Sequence, residues 1–174
     1  NLGIEFGIWL EIEALGEKAE LAKIHPEFIA EHNGKNLQYV CLGNPDAFSW
    51  ALKTTKSLIE ECGASWIKMD FNVDPGAGCN RADHGHGSTS GLNAHLQSLY
   101  ALLDRLKADY PDLTIENCSS GGLRWDLEMA THVDMGFASD PDWPEHSLSC
   151  FWASSLFFPP EKLLGWIHHL LKKE

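Results

Sequence analysis

Short stretches in which apolar residues alternate with polar ones, or run together, are separated along this chain by segments with apolar residues three and four apart. These are the patterns of strands and amphipathic helices. In Gly7-Ile8-Trp9-Leu10-Glu11-Ile12-Glu13, Trp9, Glu11 and Glu13 share one face and Ile8, Leu10 and Ile12 the other, so a strand is predicted with an unusually polar side. Leu37 to Leu42 is a short apolar run closed by Gly43-Asn44-Pro45 and reads as a buried strand with its turn. A helix is predicted next, capped by Asp46, with Leu52, Thr55, Leu58, Ile59 and Cys62 on its apolar side and Gly63 at its end. Ser65 to Phe71 is another strand. After it a loop rich in Gly and His runs from Asn72 to about Ser90, followed by a helix with Leu96, Leu99, Leu103 and Leu106 inward and Pro111 as its stop. Leu113 to Cys118 is a fourth strand with Ser119 to Gly122 as its loop, a short helical piece covers Asp126 to Thr131, and Met135 to Ser139 is a fifth strand ending at Asp140. Leu163, Leu164, Ile167, Leu170 and Leu171 predict a last helix with Lys172 and Lys173 at its C-terminal end, where cations suit the helix dipole.

Strands alternating with helices imply βαβ units and a parallel sheet, an α/β protein. No Gly-x-Gly-x-x-Gly or P-loop follows any strand, which disfavours nucleotide-binding versions of the class. A closed (β/α)8 barrel takes roughly 250 residues, and this chain offers about five parallel strands in 174 residues. The expectation is a partial (β/α)8 TIM barrel: residues 1–174 as part of a single catalytic domain whose N-terminal strands and C-terminal end lie outside the chain. The missing initiator Met points the same way.

Composition narrows the partners. With 44% hydrophobic and 22% charged residues the chain has the makeup of a folded domain. Thirteen Lys and Arg against 25 Asp and Glu give 13 − 25 = −12, a field that repels phosphate backbones and anionic lipids, so neither nucleic acid nor membrane is expected as a partner. The five cysteines are odd in number, widely spaced and without a C-x-x-C pair, which argues against a disulfide framework and a zinc knuckle. Reduced thiols and the lack of a leader lean towards a cytoplasmic setting.

The candidate chemistry sits at strand ends. Trp66, Lys68 and Asp70 share a face, with Ile67, Met69 and Phe71 on the opposite, helix-packed side. A cation and an acid therefore point to the interior at the end of a strand, where barrel active sites form and where a carboxylate can serve as nucleophile; a buried ion pair without catalytic role is the plainer reading. Asp140 ends the fifth strand behind the small residues Gly136, Ala138 and Ser139. Two acids at the ends of different strands can flank a glycosidic bond, although Asp140 is also placed to cap a following helix.

The segments Phe6 to Glu13, His25-Pro26-Glu27, Leu42 to Pro45, Lys68-Met69-Asp70-Phe71-Asn72, Glu116-Asn117-Cys118-Ser119-Ser120-Gly121-Gly122-Leu123-Arg124-Trp125-Asp126 and Ala138-Ser139-Asp140 follow one another in an order that resembles the glycoside hydrolase family 36 α-galactosidases, or melibiases. The resemblance spans roughly residues 3 to 160, and the Glu116 to Asp126 stretch is its most specific part. It implies a retaining enzyme that removes terminal α-linked galactose from oligosaccharides, built on a (β/α)8 domain, with no metal or organic cofactor. Asp70, in the position of the family's K-W-D-M-N-R motif, would be the nucleophile, and Asp140, in that of S-D-N-T-D, the general acid/base. Lys68 would bond sugar hydroxyls, and Cys118, Ser119, Ser120 and Gly121 would line the galactose pocket, with Trp9, Glu11 and Asn72 at its wall. The substrate partner would be an α-galactoside oligosaccharide, and the full-length parent a candidate homo-oligomer.

The chain departs from those motifs at Met69 and Val73, which stand for Trp and Arg, and at Pro141-Asp142-Trp143-Pro144, which stands for Asn-Thr-Asp-Ala. Leaving-group preference therefore stays open, and Asp142 is the runner-up acid/base. An α-N-acetylgalactosaminidase, a galactosyltransferase of the raffinose-synthase kind and a catalytically silent sugar-binding fragment are the alternatives. His84 and His86 could present two imidazoles to a metal, but with no third ligand nearby in sequence the loop reads as solvated. Glu11 and Glu13 read as hydrogen-bonding or structural carboxylates, His168 and His169 as solvent-facing, and Trp125, Trp143 and Trp152 as core residues or sugar-stacking rings.

Overall fold

A computed structural model describes residues 2–140 and 143–165. In chain order these form β1 (Gly7–Leu10), α1 (Glu20–Ile24), a 3-10 turn at Pro26–Phe28, β2 (Ile29–His32), β3 (Lys35–Val40), α2 (Pro45–Cys62), β4 (Trp66–Met69), α3 (Gly91–Asp109), β5 (Thr114–Asn117), α4 (Met129–His132), β6 (Met135–Phe137), α5 (Pro144–Ser154), a second 3-10 turn at Pro160–Lys162 and β7 (Leu163–Leu164). Strands β1, β4, β5, β6 and β7 pair in that order, all parallel, and β2 and β3 form a separate antiparallel hairpin. The sheet is the arc of a (β/α)8 barrel: five parallel strands with the intervening helices on one side. Among the described residues no helix is long and apolar enough to cross a membrane.

The number of parallel strands matches the sequence expectation, but two memberships differ. Leu37 to Leu42 does not enter the main sheet; β3 folds back on β2. The cause is local, because Asn33 and Gly34 both adopt positive φ, 52° and 75°, the geometry of a two-residue hairpin turn. The fifth parallel strand is instead β7, at Leu163–Leu164, where a helix was predicted; Ile167 to Lys173 lie outside the described residues, as do His168 and His169. The hydrophobic residues of β7 satisfy a helical and an extended pattern equally well, and pairing with β6 decides between them.

The register fixes the faces. Trp9, Lys68 and Glu116 stand side by side on β1, β4 and β5, and Ile8, Ile67 and Ile115 form the adjacent row. The second row packs outward with Met69 against Ala47, Ala51 and Ile59 of α2 and Leu99, Leu102, Leu103 and Leu106 of α3. Met69 thus faces the helices, as alternation predicts. Full burial of side chains such as Ile67 and Leu103 contributes about 1.5–3 kcal/mol each. Helix α2 is capped by Asn44 rather than Asp46: the Asn44 side chain accepts the N–H groups of Asp46 at 2.9 Å and Ala47 at 3.4 Å and donates to Glu27 O at 2.9 Å. Gly63 closes the helix in the left-handed conformation, and Cys62, expected inside, is exposed.

Candidate active site

All five sheet strands are parallel, so their C-terminal ends share one rim, and most of the predicted site residues gather there. Asp70 directly follows β4 and is 3% exposed. Its Oδ1 accepts the Phe71 N–H at 2.8 Å and its Oδ2 accepts the indole N–H of Trp9 at 3.2 Å, so both oxygens are oriented by fixed donors. Trp9 is itself 60% exposed. One turn of the pleat below, Lys68 Nζ lies 2.8 Å from Glu116 Oε1, 4.5 Å from the centre of the Trp9 ring and 4.0 Å from that of Phe137. The other oxygen of Glu116 accepts the Trp66 indole N–H at 3.1 Å. Sequence adjacency suggested an ion pair between Lys68 and Asp70; the structure pairs Lys68 with Glu116. Glu116 was missed as a site residue although it shares its face of β5 with Cys118 by simple alternation.

The loop after β5 ties the rim together. Ser119 Oγ donates to Phe71 O at 2.7 Å, and Cys118 N–H donates to Met69 O at 2.9 Å. Asn72 donates to Glu11 Oε1 at 2.7 Å and accepts both the N–H and the hydroxyl of Ser120 at 2.9 Å. The segments following β1, β4 and β5 are therefore joined through one amide side chain. Burial pushes the Cys118 thiol up to about 11; Gly121's backbone and the charge of Lys68 act against the rise, and Asp70 adds to it. Gly121 adopts φ 79° and lies so near the next strand's loop that a Cβ there would sit 2.8 Å from Asp140 N, and one at Gly122 would sit 2.6 Å from Ala138 O. Asp140 is exposed, three positions beyond β6. Asp70 and Asp140 thus stand at the same edge of the sheet on either side of the Ser119–Gly122 loop. Asp142 lies outside the described residues.

A second layer supports this rim. Glu13, 1% exposed, accepts Arg124 Nη1 with both oxygens at 2.9 Å. His95 Nδ1 accepts the Leu42 N–H at 3.1 Å, so Nε2 is the donor to Glu13 Oε2 at 2.8 Å. Burial alone would raise the Glu13 carboxyl, but Arg124 and His95 outweigh it and hold the group below its ordinary range. Arg124 also stacks on Phe71, 4.7 Å from the ring centre. The reading of Glu13 as a structural carboxylate fits this arrangement. Trp125 packs on Phe158 at 5.0 Å between ring centres, whereas Trp143 and Trp152 are exposed.

The Melibiase family model matches residues 1–169. The chain belongs to the Melibiase family. An α-galactosidase of Escherichia coli is 31% identical over 97% of the chain, and Alpha-galactosidase AgaA of Geobacillus stearothermophilus is 23% identical over 91% of it. The chain spans 24% and 23% of the lengths of these relatives, about a quarter. The crystal structure of the G. stearothermophilus family 36 enzyme AgaA superposes with a TM-score of 0.83 at 20% identity, covering 94% of this chain and 24% of that one. Another AgaA structure, in complex with stachyose, superposes with a TM-score of 0.81 at 19% identity, covering 92% and 23%. The chain is therefore a partial family 36 domain with the fold of a partial TIM barrel.

One expectation holds only in part. Much of the loop between β4 and α3 is exposed, as expected, but Cys79 and His84 within it are buried at 1% and 0% exposure. The His84–His86 pair does not lack further ligands either, because Cys41 and Cys79 lie beside it. Cys41 comes from the end of β3, and the hairpin that carries it there was not anticipated.

Proposed function

We propose that this chain forms part of the catalytic domain of a retaining α-galactosidase acting on oligosaccharides, with Asp70 as nucleophile and Asp140 as general acid/base. The observation that carries this reading is the carboxylate of Asp70, buried at a strand's C-terminal end and oriented by the Trp9 indole and the Phe71 N–H, with Asp140 on the same rim. An Asp70 oxygen attacks the anomeric carbon, the bond from that carbon to the leaving oxygen breaks, and Asp140 gives its proton to that oxygen. Water then attacks the galactosyl ester, Asp140 takes its proton, and the Asp70 carboxylate is released. Lys68 and Trp9 present a donor and an apolar face to the sugar beside the nucleophile, while Asn72, Cys118, Ser119, Ser120 and Gly121 shape the wall. The G. stearothermophilus relatives crystallised with stachyose and raffinose support an oligosaccharide substrate.

The test uses the full-length protein and an aryl α-galactoside. Asp70→Ala and Asp140→Ala are each expected to lower kcat by about 10⁴-fold. Azide restores turnover to the Asp70 variant as a β-galactosyl azide, and the wild type releases α-galactose first. Undiminished turnover in either variant, or first release of β-galactose, overturns the assignment.

A further inference from the structure

Behind the rim, on the far side of Phe71, four potential ligands meet: Cys41, Cys79, His84 and His86. Their donor atoms all lie within 4.8 Å of one another. Cys41 Sγ is 3.4 Å from His86 Nε2, and Cys79 Sγ is 3.4 Å from His84 Nδ1. In a tetrahedral zinc centre, bonds of about 2.3 Å to sulfur and about 2.0–2.1 Å to nitrogen set the S···N edge at about 3.5 Å. The observed separations fit that edge.

Three independent features prepare the cluster. His86 Nδ1 donates to Gly87 O at 3.1 Å, which leaves the Nε2 lone pair facing the sulfurs and is the kind of outer contact that orients metal-bound imidazoles. A Cβ at Gly43 would meet the His86 ring at 2.8 Å and one at Gly91 would meet it at 2.9 Å, so two glycines make the slot this ring occupies. His84 is fully buried, and its Nδ1 faces the sulfur of Cys79 at 3.4 Å. A metal at that nitrogen would replace a weak thiol contact with a coordinate bond.

We infer that Cys41, Cys79, His84 and His86 form a tetrahedral Zn2+ site with a structural role. Two thiolates and two imidazoles complete the coordination and leave no position for water or substrate, which separates a structural from a catalytic zinc. The soft sulfur ligands select zinc over magnesium or calcium. Binding releases the two thiol protons to solvent and leaves two thiolates balancing one Zn2+. The ion would pin the loop between β4 and α3 to the end of β3, against the small core of Ala30, Tyr39, Cys41, Phe71 and Cys79. Phe71 adjoins the Asp70 carboxylate, so the site would stiffen the nucleophile's own segment from behind.

Elemental analysis of the full-length protein, purified without a metal-affinity step, is expected to give about one zinc per chain. Protein grown on cobalt is expected to show thiolate-to-cobalt charge transfer and the intense visible bands of a tetrahedral site. His86→Ala and Cys79→Ser are expected to lose most of the metal, whereas His86→Cys, which substitutes a thiolate, retains it. Asp70→Ala also retains it, so failure of the proposed catalysis and failure of the metal site give different results. Because cysteine variants can misfold, the wild type decides first. Folded wild-type protein without zinc, a Cys41–Cys79 disulfide in a non-reduced peptide map, or full zinc content in His86→Ala would each overturn the inference.

Discussion

Besides Asp70, two carboxylates are buried within the same end of this sheet, and their surroundings differ in kind. Glu13 is sealed, with Arg124 on both oxygens and His95 closing the remaining side. Glu116 faces the barrel interior and shares Lys68 with the rings of Trp9 and Phe137, and the exposed Trp9 leads from there to the rim. The first cluster is closed to a ligand: Glu13 is 1% exposed, and the spare donor Arg124 Nε is itself buried without a partner among the described residues. The second holds a cation between aromatic faces beside the Asp70 carboxylate, a setting that hydroxyl groups of the proposed sugar substrate can enter. Burial and charge alone do not separate the two; the side from which each can be approached does.

The comparison breaks most readily at Glu13. Glu13→Ala leaves Arg124 buried without its carboxylate, and the expected cost is about 3–5 kcal/mol, measured by urea unfolding of the full-length protein. A loss under about 1 kcal/mol would place Glu13 among marginal pairs. Glu116→Gln keeps the shape and the Trp66 contact but removes the charge that positions Lys68. Here kcat/KM is expected to fall about 10–100-fold, worth about 1.4–2.7 kcal/mol, carried more by kcat than KM, with a smaller change in unfolding midpoint. Equal kinetic behaviour of the variant and the wild type would make the second cluster as structural as the first. The smallest effect concerns acid. The Glu13 carboxyl is held below its ordinary value of 4.5, so its contribution to stability is complete above that pH and fades as the pH falls through the lower folded value. Stability followed downward from pH 4.5 should therefore decline more steeply in the wild type than in Glu13→Gln; equal slopes would remove Glu13 from the acid response.

Much of this was legible in the chain. Alternation alone sorts Lys68 and Asp70 from Ile67 and Met69, and parallel pairing then sends Asp70 and Asp140 to a common edge. What alternation cannot supply is lateral neighbourhood. Lys68 meets Glu116 because β4 pairs with β5 in one register, a fact with no local trace. The hairpin did have a trace, in Asn33-Gly34, which outweighs the apolar run of Leu37 to Leu42 because turn geometry dictates pairing. Missing it hid Cys41, and without Cys41 the His84 and His86 loop reads as two imidazoles with nothing to hold.

The contact of Gly121 and Gly122 with residues 138–140 also bears on how this fold can change. Since any side chain at those two positions would shove the backbone that carries Asp140, a library aimed at new acceptors gains little there. Variation belongs in the stretch after Asp140, where the sequence already departs from the motif it resembles, and not at the glycine seam between the two loops.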